Sequence, residues 1–190
     1  LLIDVGNSRT KWILAEGGHV RGAARAVGHD NPTGLFEEWV GLRSLPQRVR
    51  GVRVGGGEAV TAIERWMPAR GAFTPQWLAT PARGCGIRLA CEAPAQLGAE
   101  RGLARVGARA ANSLPACIVD CGSAITLDGV DSQGRHQGGM ILPGLAAQQA
   151  GLASVAPSLP TVELATKTPF LTTNTRDALA SGHLHGTAMA

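Results

Sequence analysis

Residues 118–128, IVDCGSAITLD, constrain the fold more than any other stretch of the chain. An apolar run carries Asp120 to a tight turn at Cys121-Gly122-Ser123, and a second apolar alternation, Ala124-Ile125-Thr126-Leu127, leaves in the opposite direction. The pattern predicts a β-hairpin with Gly at its bend. Backbone N–H groups and a hydroxyl then surround a concavity with a carboxylate at its rim, an arrangement that suits phosphate plus a cation. The string Leu2-Ile3-Asp4-Val5-Gly6-Asn7-Ser8 repeats the same order: apolar pair, Asp, apolar residue, Gly, small polar residue. A single Asp-x-Gly is a common structural turn. Two of them, each opening one half of the chain, predict a duplicated fold whose copies face each other across a cleft.

Around these two strings the chain alternates strand and helix patterns. Residues 1–5 read as a strand, 10–15 as its return with Trp12 and Leu14 on one face, and 19–27 as a third strand after the Gly17-Gly18 turn. A helix follows Asn31-Pro32 and ends before Pro46; 48–54 read as a strand, and a helix runs from the Gly55-Gly56-Gly57 release through Met67. Residues 72–80 read as a short strand, 81–89 as a loop, and 94–112 as a long helix with Leu97, Leu103, Val106 and Ala110 inward. Gly98, Gly102 and Gly107 each weaken that helix by about 1 kcal/mol relative to Ala, which calls for close packing or a ligand near the backbone. Pro115 marks the boundary between the halves. After the second hairpin come a turn at 129–134, a strand at 136–142, a helix at 145–155, a Pro-containing loop at 156–168 and a last helix from Asn174. This order predicts an α/β layer structure.

A formal charge of +4 invites a nucleic-acid reading, but sixteen of the eighteen basic residues are Arg scattered singly, Tyr is absent and the four Trp lie far apart in sequence. No nucleic-acid platform is expected; anionic small molecules fit the mild excess equally well. Cys85, Cys91, Cys117 and Cys121 match no metal or redox spacing and read as buried free thiols in a reducing compartment. No 18-residue apolar run and no leader pattern is visible, so no membrane partner is expected and the chain is expected in the cytoplasm. It begins inside a strand and stops inside a helix pattern, which reads as a portion of a longer protein. His183 and His185, two residues apart on a helix, point to different faces and read as solvated rather than metal-binding.

Five strings, DVGNSRTK at 4–11, PAQLGAERGLARVGARA at 94–110, DCGSAITLD at 120–128, GGMILPG at 138–144 and NTRDA at 174–178, together resemble the type III pantothenate kinases of the acetate and sugar kinase, heat-shock chaperone and actin superfamily. The resemblance covers nearly the whole chain. It implies two RNase H-like α/β domains around a nucleotide cleft, 1–114 and 115–190 with the second truncated at its C-terminus, in a homodimer.

The resemblance also implies residue roles. Asp4, Val5, Gly6, Asn7, Ser8, Arg9, Thr10 and Lys11 form the ATP-phosphate hairpin; amides at Gly6, Asn7 and Ser8 suit phosphate oxygens, Asp4 suits Mg²⁺ through water, and Lys11 suits phosphate charge. Asp120 matches the position for a monovalent cation, potassium or ammonium, and Ser123 stands where the family usually has a nucleotide-binding Thr. Gly98-Ala99-Glu100-Arg101 corresponds to the substrate segment Gly-x-Asp-Arg, with Glu100 in place of the catalytic Asp and Arg101 retained for pantothenate or phosphate. Cys91 falls where the family has a pocket Tyr, and Thr175 matches a Thr that contacts pantothenate from the partner subunit. Asp128 serves a ligand or caps the turn that follows it. The function implied is ATP-dependent phosphorylation of pantothenate, the first step of coenzyme A synthesis. Glu100 and Cys91 keep open a non-catalytic nucleotide-binding homologue, regulatory or transcriptional. A related kinase or phosphatase acting on another hydroxyl or phosphate is the third reading.

Overall fold

Strands and helices alternate through the computed structural model, which describes residues 1–31, 33–42, 46–54, 57–79, 83–88, 97–163 and 166–189. The fold is α/β with a mixed sheet. The chain divides into two units, Leu1–Ala116 with Val130–Gln137, and Cys117–Gly129 with Gly138–Ala190.

In the first unit, β1 (Leu2–Val5), β2 (Arg9–Glu16), β3 (His19–Gly28), β4 (Arg50–Arg53) and β5 (Gln76–Trp77) form a sheet of order β3-β2-β1-β4-β5. Short turns make β1–β2 and β2–β3 antiparallel, whereas β4 and β5 return parallel because helical crossovers precede them. Those crossovers are α1 (Gly34–Val40) and α2 (Glu58–Ala69). Alternation sends Ile3, Val5 and Trp12 to one face of the sheet, where Leu35 and Trp39 of α1 and Val60, Ile63 and Met67 of α2 cover them. Burying each large side chain contributes about 2 kcal/mol. Far apart in sequence, Trp12, Trp39 and Trp66 meet around Phe36, with Phe36 stacked on Trp66 at 5.2 Å. Glu38 accepts the Trp12 indole N–H at 2.8 Å and so ties α1 to β2.

The rest of the first unit is β6 (Arg83–Gly84), β7 (Ile87–Arg88) and α3 (Ala99–Ala110), which packs on β4 and β7. The expected inner face of this helix is corrected: Leu103 is exposed, and Gly102 and Arg105 are buried. Arg105 lies inward because its guanidinium Nη2 is 3.3 Å from His136 Nε2, a partner distant in sequence. The strand expected over 72–80 shrinks to the two residues of β5, and the loop expected over 81–89 contains the β6–β7 hairpin.

The second sheet, β8 (Ala116–Cys121), β9 (Ala124–Val130) and β10 (His136–Pro143), has the order β10-β9-β8 and belongs to the second unit except for Ala116, Val130, His136 and Gln137. That is the order β3-β2-β1 again. The helices α4 (Leu145–Val155) and α5 (Thr175–Ala188) follow and pack together, and Gln148 Nε2 donates to Thr187 Oγ1 at 2.9 Å. The expectation of buried thiols is overturned for Cys85, Cys117 and Cys121, all exposed. Cys85 sits in the β6–β7 turn, and Cys117 and Cys121 share the outward face of β8 with Val119. No helix among the described residues is long and apolar enough to cross a membrane.

Candidate active site

Because Ile3 and Val5 enter the core, Asp4 between them faces the other side of the sheet. The β1–β2 register places it opposite Lys11, with Nζ 3.4 Å from Oδ2. Both side chains stay partly in water, so the pair contributes under about 1 kcal/mol and remains available to ligands. At the bend, the Gly6 N–H donates to the Arg9 carbonyl at 3.0 Å and closes the turn, which takes Gly6 out of the expected row of three phosphate-facing amides. The amide of Asn7, at the apex, has no partner among the described residues. Ser8 and Arg9 are exposed beside it.

The opposite face of the same hairpin is different. Thr10, paired with Val5, is 1% exposed, and its hydroxyl lies 3.1 Å from His29 Nε2. The His29 backbone N–H donates to the Ser8 carbonyl at 3.0 Å. A cavity of about 530 Å³ adjoins them, lined in part by Gly6, Asn7, Thr10, His29, Phe36 and Glu58. It lies at the carboxyl end of β1, where open α/β sheets take ligands. His29 carries no motif signal in the sequence.

The second hairpin is also closed by a Gly N–H, over a turn one residue shorter, and its side chains differ. Gly122 N–H donates to the Ala124 carbonyl at 2.9 Å, and the Ser123 carbonyl accepts the Gly144 N–H at 3.0 Å. A Cβ at Gly144 would stand 2.7 Å from the Ser123 carbonyl oxygen and overlap that of Gly122, so only Gly approaches this closely. Asp120 is exposed and has no ion-pair partner among the described residues. Ser123 is exposed at the bend. Asp128 is buried on β9, and in the turn that follows Asp131 accepts N–H groups of Gln133 at 2.9 Å and Arg135 at 2.8 Å. The backbone hydrogen bond from Arg135 is the largest influence holding the Asp131 carboxyl below its usual range, and the Arg135 guanidinium adds to it.

Gly98, Ala99, Glu100 and Arg101 form the start of α3, with Gly98 as its N-cap. The Glu100 carboxylate folds back over Gly98, occupying the space a Cβ there would need. Its Oε2 is buried with no hydrogen-bond partner among the described residues. The helix start favours the negative charge. Arg101 is half-buried next to it. Thr175 is exposed at the first position of α5, where the Asn174 side chain caps the Asp177 N–H at 2.9 Å. The structure thus brings Asp4 to Lys11 and Glu100 to Gly98 within the first unit, while Asp120, Ser123 and Thr175 belong to the second. Cys91 lies outside the described residues.

The reading of His183 and His185 as solvated is corrected. His183 is 7% exposed, and His185 packs edge-on to Phe170 with Nε2 3.0 Å from the Thr168 carbonyl, because the loop before α5 folds over that helix. No group of three or more His, Cys, Asp or Glu able to hold a metal occurs among the described residues.

Comparison with known proteins agrees with these motifs. The family model described as type III pantothenate kinase matches residues 1–190. A type III pantothenate kinase of Nitrosococcus oceani is 34% identical over 98% of this chain and 72% of its own length. The corresponding proteins of Aromatoleum aromaticum and Herminiimonas arsenicoxydans are 35% and 38% identical, over 96% and 100% of this chain and 73% and 76% of theirs. With the glycine hairpin, the Glu-Arg helix start and the Asp120 turn all inside the matched span, this chain belongs to the type III pantothenate kinase family.

Proposed function

We propose that the chain transfers the γ-phosphoryl group of ATP to the terminal hydroxyl of pantothenate, giving 4'-phosphopantothenate and ADP at the first step of coenzyme A biosynthesis. The observation that carries this reading is the family match over residues 1–190. The two hairpins supply its parts. Asn7 offers an uncommitted amide to phosphate, and Lys11 supplies a half-exposed cation beside it. Asp4, partly exposed on β1, has the oxygen donors a magnesium ion takes and would be its carboxylate ligand. Magnesium, when bound, neutralises charge on the transferring phosphoryl group. The exposed Asp120 has the donor chemistry for potassium or ammonium, and Ser123 offers its hydroxyl to the nucleotide.

Glu100 is the candidate base. An acceptor oxygen with no donor on it is what removal of the pantothenate hydroxyl proton requires, and Arg101 beside it can hold a carboxylate or phosphate. Gly98, Ala99 and Cys91 belong to the same proposed pantothenate segment, and Thr175 would reach pantothenate held by the other subunit. The repeated meander, each turn closed by its own Gly N–H, supports two RNase H-like domains. Exposed Met140, Ile141, Val155 and Leu171 support a homodimer.

A second reading, a non-catalytic nucleotide-binding homologue, is favoured by one observation: the Glu100 carboxylate turns back onto its own helix start. The assay is phosphopantothenate and ADP release with ATP, Mg²⁺, potassium and pantothenate. Equimolar products, and a loss of roughly 10²- to 10⁴-fold in Glu100→Gln, are expected. ATP binding without turnover overturns the kinase reading in favour of the second.

A further inference from the structure

The geometry points to His29 as a positioning residue that sets the first hairpin turn through Ser8 and Thr10. The inference rests on residues 4–11 being the ATP hairpin. His29 follows β3 directly and meets the turn twice. Its backbone N–H holds the Ser8 carbonyl at 3.0 Å, and its ring Nε2 lies 3.1 Å from the Thr10 hydroxyl. Residues 8 and 10 flank Arg9, whose carbonyl accepts the Gly6 N–H that closes the bend. One residue therefore grips the chain on both sides of the closing hydrogen bond.

The second hairpin separates the two grips. There Gly144 makes the backbone contact to Ser123 with no side chain at all. Counted from the carbonyl that closes each turn, the position matching Thr10 is Ile125, apolar and 5% exposed. A plain hydrophobic residue is thus enough to seat such a strand in its core. The hydroxyl–imidazole pair occurs only in the hairpin that carries Lys11. Burying a hydroxyl costs free energy unless it is hydrogen-bonded, and the ring supplies that bond. Packing alone does not hold Thr10, because the cavity of about 530 Å³ beside it leaves room to rotate once the ring is gone. The apex amide of Asn7 is adjacent to Ser8, the near end of the gripped segment, and a misplacement of about 1 Å at a phosphate-facing group can cost on the order of 10²-fold in rate.

The test uses the full chain as wild type, His29→Ala, Thr10→Val, the double variant and His29→Gln. Steady-state kinetics for each substrate are read alongside hydrogen exchange at the Gly6 amide. His29→Ala and Thr10→Val are each expected to raise the KM for ATP roughly tenfold and to leave the KM for pantothenate within about twofold. The double variant is expected to match the poorer single one, since both remove the same contact. His29→Gln recovers most of the loss, and exchange at Gly6 accelerates in the impaired variants only. Equal changes in both KM values, or an unchanged ATP KM with a lower melting temperature, overturn the assignment. A wild-type chain without turnover defeats the kinase reading instead, and exchange then judges His29 by itself: unchanged protection of Gly6 overturns it.

Discussion

The turn between β1 and β2 and the turn between β8 and β9 are closed alike, by a Gly N–H, over two intervening residues in the first and one in the second, and they differ in what they offer. Each has its Ser carbonyl held by the first residue after the third strand, His29 in one and Gly144 in the other. The side chains diverge. Asp4 has Lys11 opposite it at 3.4 Å, two residues past the closing carbonyl of Arg9, whereas the residue two past the closing carbonyl of Ala124 is Thr126, which carries no charge. The first hairpin brings its own cation and the second leaves a carboxylate open to one from solution. Under the proposed function, the first hairpin serves phosphate and the second its counter-ion.

Removing the carboxylates breaks the comparison most severely. Asp4→Asn is expected to lower kcat/KM for ATP by roughly 10²- to 10³-fold, the range for loss of a charge-positioning group at the reacting phosphate. Initial rates at varied ATP check this; a loss under tenfold removes Asp4 from the phosphate machinery. Lys11→Ala comes next, with roughly a tenfold rise in the KM for ATP and little change for pantothenate. The converse change sharpens the point: Thr126→Lys places a cation two residues past the closing carbonyl, as Lys11 is in the first hairpin, and is expected to make turnover less dependent on added potassium.

Stability separates the turns too. A Cβ at Gly144 meets two carbonyl oxygens, while one at Gly6 meets only the Arg9 oxygen at 3.3 Å. Gly144→Ala is therefore expected to cost about 1–3 kcal/mol in denaturant melts and Gly6→Ala less than about 1. The smallest effect lies at the tips of the two meanders. Gly17 and Gly18 turn the first with positive φ, whereas Asp131 holds the second through N–H groups of Gln133 and Arg135. Hydrogen bonding lowers the Asp131 carboxyl, so its stabilisation is complete above the ordinary value of 3.8 and is lost as pH falls through the lowered folded value. Asp131→Asn is expected to be slightly less stable than wild type at neutral pH and indistinguishable from it in strong acid, as read by thermal melts across that range.

Both hairpins were legible in the sequence because their signal is local: apolar alternation, Asp, Gly and a small polar residue within one turn. What holds them was not. His29 and Gly144 act on residues some twenty positions earlier, and only the return of the third strand brings them there. The face of α3 misled for a related reason, since Arg105 turns inward to His136 across 31 residues while Leu103, apolar and regularly spaced, lies outside. Glu100 was legible as a residue type, but its fold back over Gly98 depends on a rotamer that no spacing encodes.

Potassium titration of turnover at saturating ATP and pantothenate, run on wild type, Asp4→Asn and Asp120→Asn, tests the division between the hairpins most directly. Potassium is expected to activate the wild type and the residual turnover of Asp4→Asn at similar concentrations, and to lose its effect in Asp120→Asn. A potassium response displaced equally in both variants, or retained in Asp120→Asn, would contradict it.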